Sequence, residues 1–246
     1  MKQKHAFILA LLLTLLIASD IYFFSYVKEH ARKTVFVEEV IDGDTLVIEN
    51  DERVRLLNTN APEKGEKGYE EAKKFLSTLI NVTVEMEELP PDKYGRKLAR
   101  IFTSEYINLE IVKKGLATKF LVDPSELKEF DEAEKQAVKD SLGMWEKSDY
   151  SGCFLTEIKA KEEIIHIENI CGKMNLKDFT IKDESRKRYK FQDTSSSEVN
   201  LHTFEGKDNE TDIFWGLGKN VWNNDRDTFY LLDPQGKLAH FHTYGY

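Results

Sequence analysis

The chain has 246 residues, 41% of them hydrophobic and 32% charged, with 13 Gly and 5 Pro, which excludes a collagen-like, low-complexity or wholly disordered polymer. Its formal net charge of -9 excludes a protein that grips nucleic acid through bulk positive charge, so any contact with a polyanion must be local. The length suits two modest domains, and the charge is unevenly placed: net +3 over residues 1–33, -8 over 34–148 and -4 over 149–246.

Residues 6–19, AFILALLLTLLIAS, carry no charge and follow Lys2 and Lys4, the layout of an export signal. A second apolar run, 21–27, lies beyond Asp20, and a continuous helix of about 22 residues would span roughly 33 Å, enough to cross a bilayer. Residues 1–33 are therefore expected to be an uncleaved N-terminal apolar helix that anchors the chain in a membrane, or a signal peptide removed after Ser19. A buried core helix is the remaining alternative. Lysines flank both sides, so charge does not fix the orientation.

Segments 34–41, 45–49 and 54–59 are short, rich in β-branched residues and separated by turn residues, so they read as strands. Residues 66–80 place Ala72, Phe75, Leu76 and Leu79 at helical spacing. Two more strands are expected at 82–87 and 98–103, joined by LPPDKYGRK, and two closing helices at 107–117 and 127–147. The strands lie too close together for parallel crossovers, so 34–148 is expected to form a five-stranded barrel of OB type, an α+β domain with helices. DYSG at 149–152 reads as a linker. Beyond it, seven short alternating segments without helical pattern predict an all-β sandwich over 149–246.

The chemistry gathers around IDGDT at 41–45, which read alone is a tight turn between strands. A hairpin of 45–49 with 53–59 would bring Asp44 beside 58–63, where the Asn60 amide, a carbonyl near Ala61 and Glu63 offer hard oxygens of the kind Ca²⁺ takes. No Cys or His lies near, so nothing favours zinc. Alternation sets Arg55 opposite Val54 and Leu56 and leaves it to face a ligand, and DKYGR adds Lys93, Tyr94 and Arg96. Two guanidiniums can clamp a phosphodiester as charge builds on it, a metal can polarise the same group, and a neighbouring carboxylate can serve as base. For each arginine taken singly, a surface salt bridge is the plainer reading.

Together these stretches resemble the thermonuclease family, the staphylococcal-nuclease-like OB domain: VIDGDT (40–45), RLLNTNAPE (55–63), Glu71 and Ala72, DKYGR (92–96), KKGLA (113–117) and LGMW (142–145). The resemblance implies a Ca²⁺-dependent phosphodiesterase acting on DNA and RNA. It implies Arg55 and Arg96 as phosphate clamps, Glu63 as base, and Asp44, Asn60 and the Ala61 carbonyl on the metal, with Lys93 and Tyr94 touching substrate. Two departures matter. Asn60 stands where the best-known relatives have Asp, and TKFLVD at 118–123 replaces tyrosines that cover a base, leaving Phe120 either to stack on a base or to be buried.

Residues 153–246 resemble a lamin-tail domain in 164–185 and 221–238, which implies an immunoglobulin-like sandwich, binding or tethering to an unknown ligand or envelope partner, and no chemistry. His240 and His242 lie two apart on an expected strand, but no third metal ligand stands out. A hairpin centred on Glu162 would pair position n with 324 minus n and set Cys153 opposite Cys171. A disulfide there fits an oxidising compartment, hence an extracellular or cell-surface protein, whereas two reduced thiols would fit the cytosol. The expected activity is metal-dependent cleavage of DNA and RNA. The alternative is a catalytically inactive OB module that binds nucleic acid or protein, with the sandwich as the functional tether.

Overall fold

The structure is a computed structural model that describes residues 5, 12–20, 22, 32–92 and 95–246. Most of the N-terminal apolar segment lies outside the described residues. Residues 12–20 are helical and exposed, and no helix among the described residues is long and apolar enough to cross a membrane.

Strand β1 (Lys33–Val40) buries Val35 and Val37 by strict alternation, then breaks phase at a bulge between Val37 and Glu39 so that Val40 also turns inward. β2 (Thr45–Ile48) and β3 (Glu52–Leu56) form a hairpin pairing Thr45 with Arg55 and Ile48 with Glu52. Its turn holds Asn50 and Asp51 at φ 64° and 62°, a left-handed conformation that short polar side chains tolerate. β4 (Thr59–Asn60) leaves the barrel, β5 (Thr83–Leu89) and β6 (Lys97–Phe102) return to it, and β7 (Thr118–Lys119) pairs with β4. Among the described residues the closed barrel runs β1-β2-β3-β6-β5, with β1 joining β5. The β3–β6 pair is parallel, which the spacing of the strands did not suggest. Those two strands are not consecutive, and the chain between them is long enough to include a helix.

That register sets Arg55 opposite Leu98 and so brings the end of DKYGR alongside β3. Helix α1 (Tyr69–Ser77) is shorter than expected, because Gly68 at φ 89° starts it late and turns follow Ser77. Ala72 and Leu76 are its buried face. α2 (Ile107–Lys113) buries Asn108, whose amide accepts from Ile101 N and donates to the carbonyls of Leu57 and Ala99, all at 2.9 Å. α3 (Leu127–Lys139) also stops early, with Ser141 at φ 58° and Gly143 at φ 55° redirecting the chain. Gly143 packs on Gly115: a Cβ on either would lie within 2.3 Å of the other segment's backbone. KKGLA and LGMW are therefore the two faces of one contact.

The C-terminal half contains β8 (Phe154–Lys159), β9 (Ile164–Asn169), β10 (Met174–Asn175), β11 (Thr180–Lys182), β12 (Arg188–Lys190), β13 (Ser195–Ser196), β14 (Glu198–His202), β15 (Asp212–Phe214), β16 (Asp227–Leu232) and β17 (Leu238–Tyr244). Two four-stranded sheets, β15-β14-β9-β8 and β12-β11-β16-β17, share one core built on Phe154, Ile165, Ile181, Leu201, Phe229 and Trp222. The strands β10, β13 and β15, two or three residues each, are too short to show a period and had no counterpart among the expected strands. Cys153 and Cys171 form a disulfide with Cα atoms 5.1 Å apart. The β8–β9 hairpin pairs n with 323 minus n, one residue from the expected register, because a four-residue turn ends with Glu163 at φ 58°.

The two halves pack tightly together. Residues 149–152 form turns rather than a loose linker, Ser148 N donates to Leu238 O (3.0 Å), and Leu238 N donates to Glu146 O (2.8 Å). Trp145 stacks on Tyr230 with centroids 5.1 Å apart, within a cluster that also takes Ala137, Val138, Met144 and Leu238.

Candidate active site

Gly43 in the IDGDT turn approaches α1 so closely that a Cβ there would lie 2.6 Å from that of Ala72 and 2.7 Å from that of Ala61. The glycine is thus needed for close packing, and that packing seats the following residue, Asp44, in the interior at 2% exposure. The Asp44 carboxylate accepts from Ala61 N (2.8 Å) and Thr45 Oγ1 (3.1 Å) and is paired with the Arg55 guanidinium. Burial raises its pKa above the ordinary carboxylate value, against the pull of Arg55, and neighbouring Asp42 adds to the rise.

Arg55 does not project freely from β3. It is buried, and its Nη2 donates to Thr59 O (3.0 Å) and Asn60 Oδ1 (2.9 Å), because β3 ends where the chain folds back through β4. Asn60 is fixed from both sides: its amide nitrogen donates to Glu184 O (2.8 Å), and its backbone carbonyl accepts from Thr118 Oγ1 (3.1 Å). Asp44, Arg55, Asn60 and Ala61 therefore form one hydrogen-bonded cluster, as the hairpin geometry predicts.

Arg96 lies at the rim, half exposed and paired with Asp92 at 2.7 Å. Lys93 and Tyr94, the expected substrate contacts, lie outside the described residues. Glu63 is exposed, and Glu66 caps its backbone nitrogen (3.1 Å) while pairing with Arg188 (2.7 Å). Phe120 is half-buried and lines the same cleft as Arg55 and Arg96, so it is neither a fully buried core residue nor fully open. That cleft has a volume of about 900 Å³.

Its other side belongs to the C-terminal half. Arg186, at φ 70° in the β11–β12 turn, donates from Nη1 to Ala61 O (3.0 Å) and pairs through the same nitrogen with Glu63 Oε1 (2.7 Å). Sequence reading did not single out Arg186, Glu184 or Lys219. The available signal was the basic cluster Arg186, Lys187, Arg188 and Lys190 in an otherwise acidic half.

The oxygens fit a hard cation. Asp44, Asn60 Oδ1, Ala61 O and Glu63 are oxygen donors of two charges and two dipoles, and a guanidinium already rests on each of the four, Arg55 on Asp44 and Asn60 Oδ1 and Arg186 on Ala61 O and Glu63. Among the described residues no three His, Cys, Asp or Glu side chains gather as a metal cluster, so the set depends on neutral oxygens to supplement its carboxylates.

Residues 53–147 match the family described as Staphylococcal nuclease homologue. The chain is 34% identical over 131 residues to the thermonuclease of Staphylococcus intermedius, a match covering 47% of this chain and 77% of that one. The chain belongs to the staphylococcal nuclease family. Within this nuclease family it is also 32% identical to an uncharacterized endonuclease of Haemophilus influenzae (46% of this chain, 67% of that one) and 31% identical to a micrococcal nuclease of Shigella flexneri (44% and 71%). The family match takes in β3 through Trp145 but not β1 or β2, and these relatives align with less than half of this chain.

Proposed function

We propose that the chain is a metal-dependent endonuclease that hydrolyses phosphodiester bonds of DNA and RNA with little sequence preference. The observation that carries this reading is the joining of Asp44, Arg55, Asn60 and Ala61 in one buried cluster, with Arg55 and Arg96 lining a common cleft. Contacts of this kind go to phosphate rather than to base edges, hence the low preference. Asp44, Asn60 Oδ1 and Ala61 O would hold Ca²⁺, which when bound polarises a phosphoryl oxygen and draws charge from the attacked group.

The remaining steps belong to this chain's own side chains. Glu63 accepts the proton of the attacking water, whose oxygen bonds to phosphorus as the leaving ester oxygen departs with the bonding pair. Arg55 and Arg96 donate to the non-bridging oxygens, which gain charge in the transition state. Asp44 fixes the plane of the Arg55 guanidinium, and the Thr59 carbonyl and Asn60 amide hold its second nitrogen. Replacement of Arg96 by Ala, or Glu63 by Gln, should lower turnover by about 10²-fold or more, the scale for losing one preorganised group. Variants as active as the parent chain would sink the assignment.

We read the C-terminal half as a lamin-tail-like sandwich that tethers the nuclease to an envelope partner, and the chain as exported, secreted or held at the cell surface by its N-terminal segment. Support comes from two sheets sharing one core and from the Cys153–Cys171 disulfide, which suits an oxidising compartment.

A further inference from the structure

The cleft is shared between the two halves of the chain. The barrel supplies Arg55 and Arg96, and the C-terminal half supplies Arg186, Lys187 and Lys219. We propose that the C-terminal half is the second wall of the nucleic-acid site, with Arg186 and Lys219 binding phosphates of the strand whose scissile group lies at Arg55 and Arg96. The proposal rests on the nuclease reading for the position of that strand, and it adds a role for residues outside the family match at 53–147.

Three observations support it. The first is that the wall is rigidly set. The β11–β12 turn is closed by Asp183, which accepts from Lys187 N (2.7 Å) and Ser185 Oγ (2.5 Å), while Asn60 Nδ2 holds Glu184 O at 2.8 Å and so locks the turn to the nuclease barrel. Arg186 is thus presented to the cleft by a docked element and not by a wandering loop.

The second is donor capacity. A guanidinium carries five N–H donors, and both Arg186 contacts run through Nη1, so the group can meet a phosphate without giving up Ala61 O. Its partner Glu63 is 57% exposed, a setting in which a carboxylate pair is weak and a phosphate can compete for the cation. Lys187 is less available, since its ammonium is tied to Asp183 and Ser185. Lys219 is exposed and makes no ion pair among the described residues.

The third is charge placement. The chain is net -9, yet five cations line this cleft among the described residues; Arg55, Arg96, Arg186 and Lys187 are each paired with an acid (Asp44, Asp92, Glu63 and Asp183), and Lys219 makes no such pair. The local contact that an acidic chain needs for a polyanion is present here, and neither half provides it alone. Phe120 and the 65% exposed Leu121 line the same cleft and give an unstacked base an apolar surface, which favours a single strand over a duplex.

The test is binding of a fluorescent oligothymidylate to the full chain in chelator, where metal-dependent cleavage is silent, followed by anisotropy over a salt series. Lys219→Ala and Arg186→Ala should each weaken binding by about tenfold at low salt and lower the slope of log K against log salt by about 0.7, the value for one phosphate contact on a single strand. Lys219→Arg and Arg186→Lys should retain the slope. Because Arg186 also touches the barrel, the exposed Lys219 provides a readout that does not depend on the integrity of the site. Parental affinity and slope in the double alanine variant would overturn the proposal, as would a parent chain that fails to bind the oligonucleotide. A parent that cleaves DNA while the double variant binds normally defeats the second wall and spares the nuclease. A parent that does not cleave while the variants lose slope does the reverse.

Discussion

Replacing Lys119 by Met removes a cation from the seam between the halves. Lys119 is fully buried, and its ammonium lies 2.5 Å from Glu134, 2.9 Å from Thr228 Oγ1 and 3.7 Å from both Glu184 and Asp131. Burial disfavours the ammonium, but Glu134, Glu184 and Asp131 outweigh it and hold its pKa above the ordinary lysine value. Burial pushes Glu184 up to about 8 despite Lys119, and that carboxyl accepts from Thr228 Oγ1 (2.7 Å) and from the Tyr246 hydroxyl (2.6 Å). Without Lys119 the buried Glu134 loses its counter-charge, a change that costs about 3–5 kcal/mol when one member of a buried pair is removed. Adding Glu134→Gln, which keeps an acceptor for Lys119 N and the Tyr230 hydroxyl, should recover a large part of that loss. The assay is equilibrium urea unfolding followed by fluorescence of Trp145, Trp215 and Trp222, with one transition expected for both halves. A loss below about 1 kcal/mol, the scale of an exposed pair, would refute the reasoning. So would a shifted barrel transition with the C-terminal half unmoved.

Asn60→Asp should tighten Ca²⁺ binding in calorimetry, by about tenfold or near 1.4 kcal/mol for the added charge. The same variant should lower the urea midpoint, because it forfeits the amide bond to Glu184 O and sets a carboxylate oxygen against a carbonyl, at a cost of about 1–3 kcal/mol. Replacing both Cys153 and Cys171 by Ser opens an 18-residue separation and should lower stability by about 3 kcal/mol in the chain-entropy model, measured by the same unfolding assay. His240, which shares Thr156 Oγ1 with His242, has its pKa pushed down from 6.5 to about 4, first by burial and then by His242. The unfolded chain therefore binds more protons than the fold between those values, and stability should fall as pH drops from about 6.5 to about 4, by at most about 3 kcal/mol. His240→Gln should flatten that fall in thermal melts over the same range.

Local pattern carried much of this structure and long-range docking carried the rest. The barrel strands, α1 and the meeting of Asp44 with 58–61 were legible because alternation and hairpin register are set by neighbouring residues. The disulfide partners were also legible, although the turn at 160–163 shifted the ladder by one. Helix ends were misjudged where positive-φ residues such as Gly68 and Ser141 intervene inside an unbroken apolar period. Arg55 was expected to be free because alternation tells which way a side chain leaves a strand, not what waits for it there. Arg186 was invisible for a stronger reason: it meets Ala61 across 125 residues, and no periodicity within either segment encodes that contact.

Cleavage of single-stranded DNA by the purified chain from residue 33 onward, with Ca²⁺ and with chelator, tests the central claim most directly. Nicking that requires Ca²⁺, stops in chelator and falls by about 10²-fold or more in Arg96→Ala is the predicted result. Cleavage that persists in chelator, or no cleavage by a chain shown to be folded, would contradict it.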